Sequence, residues 1–254
     1  MSASFDAELL EAQAVLAWDE ERRLLSELGL HGSVLEAGCG SGALAARLAA
    51  LPAVERVTGV DTDTALLALA REALPGGEFV AAAAEELPFA DDAFDGAVTR
   101  LVLQHVPDPA AVARELARVV RPGGLVVAID VDGGLWGLSQ PYLPELAAIQ
   151  AKAWSASRER GGDRMIGRRL HRILAGAGLA EVALRPYAYH SDALGLDAFA
   201  PLLAPEALAP ALEAGTITLA DYQQLVRGYA RFRADPDAFV LLVGLLASGR
   251  VPSA

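Results

Sequence analysis

The chain has 254 residues, 53% of them hydrophobic, a formal net charge of −12 and a single cysteine. That length and apolar content suffice for one large core with a cover, the acidic balance argues against nucleic acid, whose phosphate backbone calls for clustered Lys and Arg, and one cysteine excludes an intramolecular disulfide. No apolar run approaches the roughly 18 residues of a membrane span, and the first residues lack a basic segment followed by an apolar one, so the reading is a soluble, cytoplasmic protein.

In chain order, residues 8–28 are expected to form a helix, the body of an N-terminal cap over residues 1–30. Val34-Leu35-Glu36-Ala37-Gly38-Cys39-Gly40-Ser41-Gly42 is an apolar strand running into an acidic residue and then a loop with glycine at every second position. Glycine reaches positive φ cheaply, so the chain can turn sharply into a helix over 43–51 while the loop N–H groups stay open to a bound ligand. The helix adds a partial positive charge. Glu36, two residues before the first glycine, would repel a pyrophosphate but suits a ligand bearing an ammonium or a sulfonium, which favours S-adenosylmethionine over a dinucleotide. Taken alone, the loop also fits the looser dinucleotide fingerprint Gly38-x-Gly40-x-x-Ala43. Cys39, with no basic neighbour to lower its pKa, reads as packing against the ligand and not as a nucleophile.

Arg56-Val57-Thr58-Gly59-Val60-Asp61 is a second strand ending in an acid that would accept bonds from ribose hydroxyls of either ligand. The helix that follows starts near Thr64, with Asp61 or Asp63 as its N-cap. Residues 94–99 form an apolar strand after an acidic turn, and 100–107 leave it toward the edge that carries the glycine loop, which places Arg100, Gln104 and His105 near the ligand. A helix over 109–120 takes its start signal from Asp108 and Pro109. Pro122-Gly123-Gly124 punctuates a turn, and residues 125–130 are a continuous apolar run typical of a buried parallel strand.

Residues 132–162 are an insertion that becomes helical near 145–158. A core helix over 163–178, stopped by Gly176 or Gly178, and a strand over 181–189 follow. A second insertion, 191–236, is helical and broken by Pro201, Pro205 and Pro210, and residues 238–245 suit a last strand. The insertions and the cap can close over the carboxyl edge of the sheet and exclude water, with Trp136, Tyr142, Trp154, Phe199 and Tyr222 as pocket candidates taken as a group. Arg158, Arg160, Arg164, Arg168, Arg169 and Arg172 read as a solvated helix face.

Four ordered blocks carry a family resemblance: the 34–42 loop, the Val60-Asp61 strand end, Glu85-Glu86-Leu87-Pro88-Phe89-Ala90-Asp91-Asp92-Ala93-Phe94-Asp95, and the helix, turn and strand of 116–130. Together they resemble the class I S-adenosylmethionine-dependent methyltransferases, in particular the small-molecule branch typified by ubiquinone and menaquinone biosynthesis. The resemblance spans residues 30–131 and implies an α/β, Rossmann-like, doubly wound sheet of seven strands, mostly parallel with one antiparallel strand near the C-terminus, plus helical cover insertions within 31–254. It implies S-adenosyl-L-methionine as cofactor, contacted by Glu36, Gly38, Cys39, Gly40, Gly42, Asp61, Thr62, Ala84, Glu85, Arg100 and Gln104. No metal is expected. The methyl would pass in line to an O, N, C or S nucleophile of a small hydrophobic or amphiphilic acceptor. His105 is the candidate base, with Tyr187 and His190 in reserve.

One departure from the family stands out. Its Asp-Ala-Glu run reads Ala83-Ala84-Glu85 here, removing the acid that would accept from the adenine amine and leaving Glu85 or the Ala84 backbone to hold the ring. Two alternatives are carried forward: a non-catalytic protein that keeps the cofactor pocket, and an NAD(P)-dependent oxidoreductase.

Overall fold

The computed structural model describes residues 3–135, 137–159 and 161–253, with side chains from residue 9 onward. Trp136 and Arg160, both singled out above, lie outside the described residues. Among those residues the chain alternates strand and helix: α1 (Ala3–Glu27), β1 (Gly32–Ala37), α2 (Ala43–Ala49), β2 (Val54–Asp61), α3 (Thr64–Ala73), β3 (Glu78–Ala81), β4 (Phe94–Arg100), α4 (Pro109–Val119) and β5 (Val120–Asp130). Beyond β5 come β6 (Gly137–Gln140), α5 (Pro144–Glu159), α6 (Leu170–Gly176), β7 (Ala180–His190), the short helices α7 (Ser191–Leu194), α8 (Ala200–Leu203) and α9 (Ala209–Glu213), then α10 (Leu219–Ala234) and β8 (Phe239–Arg250).

Parallel pairing joins β3, β2, β1, β4 and β5, and β8 then runs antiparallel to β5. β7 covers residues 241–250 of β8, so β5, on 245–250, and β6, on 239–242, must share the opposite edge of that strand. The Rossmann-like sheet is therefore seven strands wide, with β6 extending the row of β5. Chain order reverses between β1 and β4, and the crevice outside the carboxyl ends of these two strands is where open α/β sheets hold ligands.

Local chemistry accounts for the helix starts. Asp63, not Asp61, caps α3, its Oδ1 accepting from the N–H groups of Ala65 and Leu66 at 2.8 and 3.1 Å; Asp108 does the same for α4 through Ala110 and Ala111. Each cap contributes about 1 kcal/mol. The expected helix over 163–178 is shorter. Gly167 N–H bonds to the Val131 carbonyl and Arg168 N–H to Asp132, which holds 166–169 as a 3₁₀ turn and delays the α-helix to Leu170.

The helix α1 is part of the core. Ala17, Leu24 and Leu25 pack with Val34 of β1, Val98 of β4 and Val127 of β5. A separate apolar cluster unites the cover: Leu146 and Ile149 of α5, Phe199, Leu203, and Leu225 and Phe232 of α10 meet Leu16 of α1 and Val240 of β8. Phe199 is fully buried and Tyr222 packs against that cluster, so these two are core and not pocket. Among the described residues no helix is long and apolar enough to cross a membrane.

Candidate functional site

The crevice at the switch point is a cleft of about 580 Å³. Of the residues expected from sequence, Gly38, Gly40, Asp61, Thr62, Ala84, Glu85, Arg100 and His105 line it. Cys39, Glu36 and Gly42 stand behind its wall, and Gln104 lines a neighbouring chamber. His105 sits on the exposed side of the cleft.

The glycines of the loop have different reasons to be glycine. A Cβ on Gly38 would come within 2.2 Å of Val102, because the loop passes directly against the segment that leaves β4, and the residue also has φ +79. Gly42, at φ +78, is forced by packing: its Cβ would lie 2.9 Å from the Ala70 backbone of α3. The expectation of open loop donors is corrected. Gly38 and Cys39 donate to the Val60 carbonyl at 2.7 and 2.9 Å, Gly40 to Asp61 Oδ2 at 2.8 Å, and Gly42 to the Cys39 carbonyl at 2.9 Å. Close parallel pairing of β1 with β2 brings Val60 and Asp61 under the loop, and they engage the N–H groups of Gly38, Cys39 and Gly40. A loop in this state offers little to a pyrophosphate.

Asp61 is oriented from both sides: Oδ2 accepts from Gly40 and Oδ1 from Asp63 N–H at 3.0 Å. A carboxylate has about four acceptor positions, so it retains capacity for two hydroxyls. Glu36 is 2% exposed, and its Oε2 has no hydrogen-bond partner among the described residues. Burial raises its pKa well above the usual carboxylate range; Arg100 partly offsets this and the Asp61 charge adds to it. Burial likewise raises the Cys39 thiol, with the charges of Glu36 and Asp61 adding to the shift, which leaves it protonated and unreactive.

Arg100 is not free to meet a ligand head-on. Its Nε donates to Glu21 Oε1 and Oε2 at 3.0 and 2.9 Å, an Nη donates to the Gln13 carbonyl at 2.8 Å, and Tyr187 donates its hydroxyl to Glu21 Oε1 at 2.6 Å. Burial alone would lower the Arg100 pKa, and the Glu21 carboxylate reverses this and holds it raised. This network ties α1 to β4 and β7. It also borders a small polar chamber of about 100 Å³ that shares Arg100 and Leu101 with the cleft and reaches Asp130, Arg164 and Tyr189. Arg164 hydrogen-bonds the Gln104 side chain, and Arg168 clasps Asp132 with two bonds of 2.6 Å. The arginine run is thus no uniform solvated face: past the first insertion, Arg164 fastens the chain to Gln104 beyond β4 and Arg168 to Asp132 beyond β5.

Residues 35–128, from within β1 to within β5, match the family described as methyltransferase domain. Over that stretch the chain is similar to this family. Among curated relatives, the malonyl-[acyl-carrier protein] O-methyltransferase of Pseudescherichia vulneris is 34% identical over 179 residues, 69% of this chain and 62% of that protein. The demethylmenaquinone methyltransferase of Desulfitobacterium hafniense is 34% identical over 128 residues, 46% of this chain and 51% of the relative. Across such relatives the chain spans between 37% and 62% of their length. The structure of Haemonchus contortus phosphoethanolamine N-methyltransferase 2 in complex with S-adenosyl-L-methionine is similar in fold, with TM-score 0.57 at 20% identity over 93% of this chain and 53% of that one.

Three residues of the site have no assigned role in the sequence analysis: Glu21, Gln13 and Tyr189. A signal for Glu21 exists, since it lies on the stripe Ala14, Ala17, Leu24, Leu25 that α1 buries, where a lone carboxylate demands a partner. In the sequence Asp130 shows only as the end of a strand. An acid closing an apolar run at the carboxyl edge is the same signal that drew attention to Asp61.

Proposed function

We propose that the chain binds S-adenosyl-L-methionine in the cleft and transfers its methyl group to a small-molecule acceptor. The observation that carries this reading is the pairing of a fully buried, incompletely hydrogen-bonded Glu36 with a glycine loop whose own N–H groups are already engaged. Such a floor suits a cationic ammonium end and disfavours a phosphate. The relatives named above, with their quinone-type and acyl-carrier acceptors, support a small acceptor or one delivered on a carrier.

In this reading Asp61 accepts from the ribose hydroxyls and the adenine lies against the 83–85 segment of the cleft wall, while Glu36, whose pKa burial raises, is drawn back to its ionised form from behind the wall by the ligand's ammonium and balances it. Bound there, S-adenosyl-L-methionine supplies an electrophilic methyl on sulfur. The protein holds an acceptor in line with it, and positioning of this kind accounts for a large share of the rate. Leu10 and Gln13 of α1 and Leu202 of α8 reach the cleft and chamber from the cap and cover, where they exclude water.

Calorimetric titration is expected to show binding of S-adenosyl-L-methionine and of S-adenosylhomocysteine and no binding of NAD. A methyl-transfer assay against phenols, quinols and small amines is expected to find turnover. Tight NAD binding with no response to either methyl-cofactor form would move the protein to the oxidoreductases, and cofactor binding with no turnover on any acceptor class would favour the non-catalytic alternative.

The missing adenine acid gives a second test. Ala83 is exposed on the cleft wall, so Ala83→Asp fits without displacing core. A charge-assisted bond to the adenine amine is worth roughly 1.5–3 kcal/mol, and cofactor affinity should rise about tenfold or more. An unchanged affinity would place the adenine away from this segment.

A further inference from the structure

Asp130 ends β5 after the run Leu125-Val126-Val127-Ala128-Ile129 and is fully buried. Its Oδ2 accepts from Gln104 N–H at 3.1 Å and its Oδ1 from Val131 N–H at 2.9 Å, which takes two of the roughly four acceptor positions a carboxylate has. Asp130 is among the residues that line the polar chamber, and that chamber and the cofactor cleft share the lining residues Arg100 and Leu101. At about 100 Å³ the chamber holds the reacting end of a molecule and not a whole acceptor.

We propose that this chamber receives the nucleophilic end of the acceptor, that Asp130 takes its proton, and that the acceptor is therefore a weakly acidic hydroxyl compound of the phenol or enol class. The inference rests on the methyl-transfer reading above. As the acceptor oxygen's lone pair forms the bond to the methyl carbon, the carbon–sulfur bond breaks with its electron pair remaining on sulfur, and the acceptor proton passes to an Asp130 carboxylate oxygen. Charge balances: a sulfonium and a carboxylate become a thioether and a carboxylic acid. A tertiary amine acceptor would need no such base.

The surroundings suit the task. Burial pushes Asp130 up to about 7, against the pull of its two N–H donors and of the guanidinium groups of Arg164 and Arg100. A base near the working pH is the one best matched to a weak acid. The other ionisable groups facing the chamber are Glu21 from α1, engaged by Arg100, and Tyr187 and Tyr189 from β7. Burial raises both phenols, Tyr189 to about 12, and they stay neutral. His105, by contrast, is exposed and lines the cleft but not the chamber.

The test needs no knowledge of the acceptor. S-adenosyl-L-methionine carries a positive sulfur and S-adenosylhomocysteine a neutral one, while both share the ammonium and the ribose that face Glu36 and Asp61. A cation beside Asp130 favours its ionised form, so the affinity ratio of methionine to homocysteine form should rise with pH through 7, by roughly three- to tenfold between pH 6 and pH 8. Calorimetry of the wild-type protein measures this directly. In Asp130→Asn the ratio should become flat with pH, and in Glu36→Gln the slope should persist even as both ligands weaken. A flat ratio in the wild-type protein overturns the proposal whether or not Asp130→Asn folds, and a slope that survives in folded Asp130→Asn overturns it by assigning the titration to another group. Failure of both ligands to bind the wild-type protein defeats the methyl-transfer reading itself, an outcome distinct from binding without a slope.

Discussion

Replacing Glu21 by alanine should lower the unfolding free energy by about 3–5 kcal/mol, the cost of leaving a buried guanidinium without its partner. The side chain of Glu21 is fully buried and that of Arg100 only 9% exposed, so solvent does little to screen the loss. The Tyr187 hydroxyl would lose its 2.6 Å acceptor in the same step. Because the pair links α1 to the sheet, and α1 supplies Leu10 to the cleft wall and Gln13 to the chamber, cofactor affinity should fall together with stability. Urea unfolding of Glu21→Ala and of the double variant Glu21→Leu with Arg100→Leu separates the contributions. The double variant should recover most of the loss, since an apolar pair of similar volume avoids the desolvation of both charges. A shift below 1 kcal/mol in the single variant would mean that water reaches Arg100 and that α1 is held by apolar packing alone.

Asp61→Ala is expected to cost the cofactor most of its affinity. Two hydroxyls on one carboxylate form a charge-assisted pair worth on the order of 2–3 kcal/mol, or roughly 30- to 150-fold in Kd. The structure adds a second contribution. Asp61 Oδ2 holds the Gly40 N–H and Oδ1 holds the Asp63 N–H, so the variant also releases the glycine loop and the start of α3. Asp61→Asn keeps one acceptor oxygen and should fall between the wild type and the alanine variant. Glu85→Ala, at the adenine end of the cleft, should lose less than Asp61→Ala. Equal and near-zero effects at positions 61 and 85 in a titration with S-adenosylhomocysteine would put the adenosine elsewhere on the protein.

Sequence and structure agree wherever the signal is local. The strand, glycine loop and helix at 34–49, the acid ending β2, and the Asp108 and Pro109 start of α4 are set by neighbours a few residues away, and periodicity or composition displays them. The strands β3 and β6 show the limit of that reading: four residues each is too short a stretch for alternation to stand out, and both exist because a longer neighbour offers an edge. The 3₁₀ turn at 166–169 has the same origin, in bonds from Val131 and Asp132.

By itself the sequence determined the order of the longer strands and helices, the Rossmann-like class and the cleft-lining residues Gly38, Gly40, Asp61 and Thr62, since these follow from short-range pattern and from the carboxyl-edge rule for parallel sheets. Only the tertiary structure decided what each charge meets. Arg100 turns to Glu21, 79 residues away, the loop N–H groups turn to Val60 and Asp61, Arg164 turns to Gln104, and Asp130 closes a chamber whose other walls come from α1, β7 and the cover. A buried charge takes the partner that the fold brings within hydrogen-bond reach, and that partner is selected by the packing of distant segments, which no local pattern in the chain encodes.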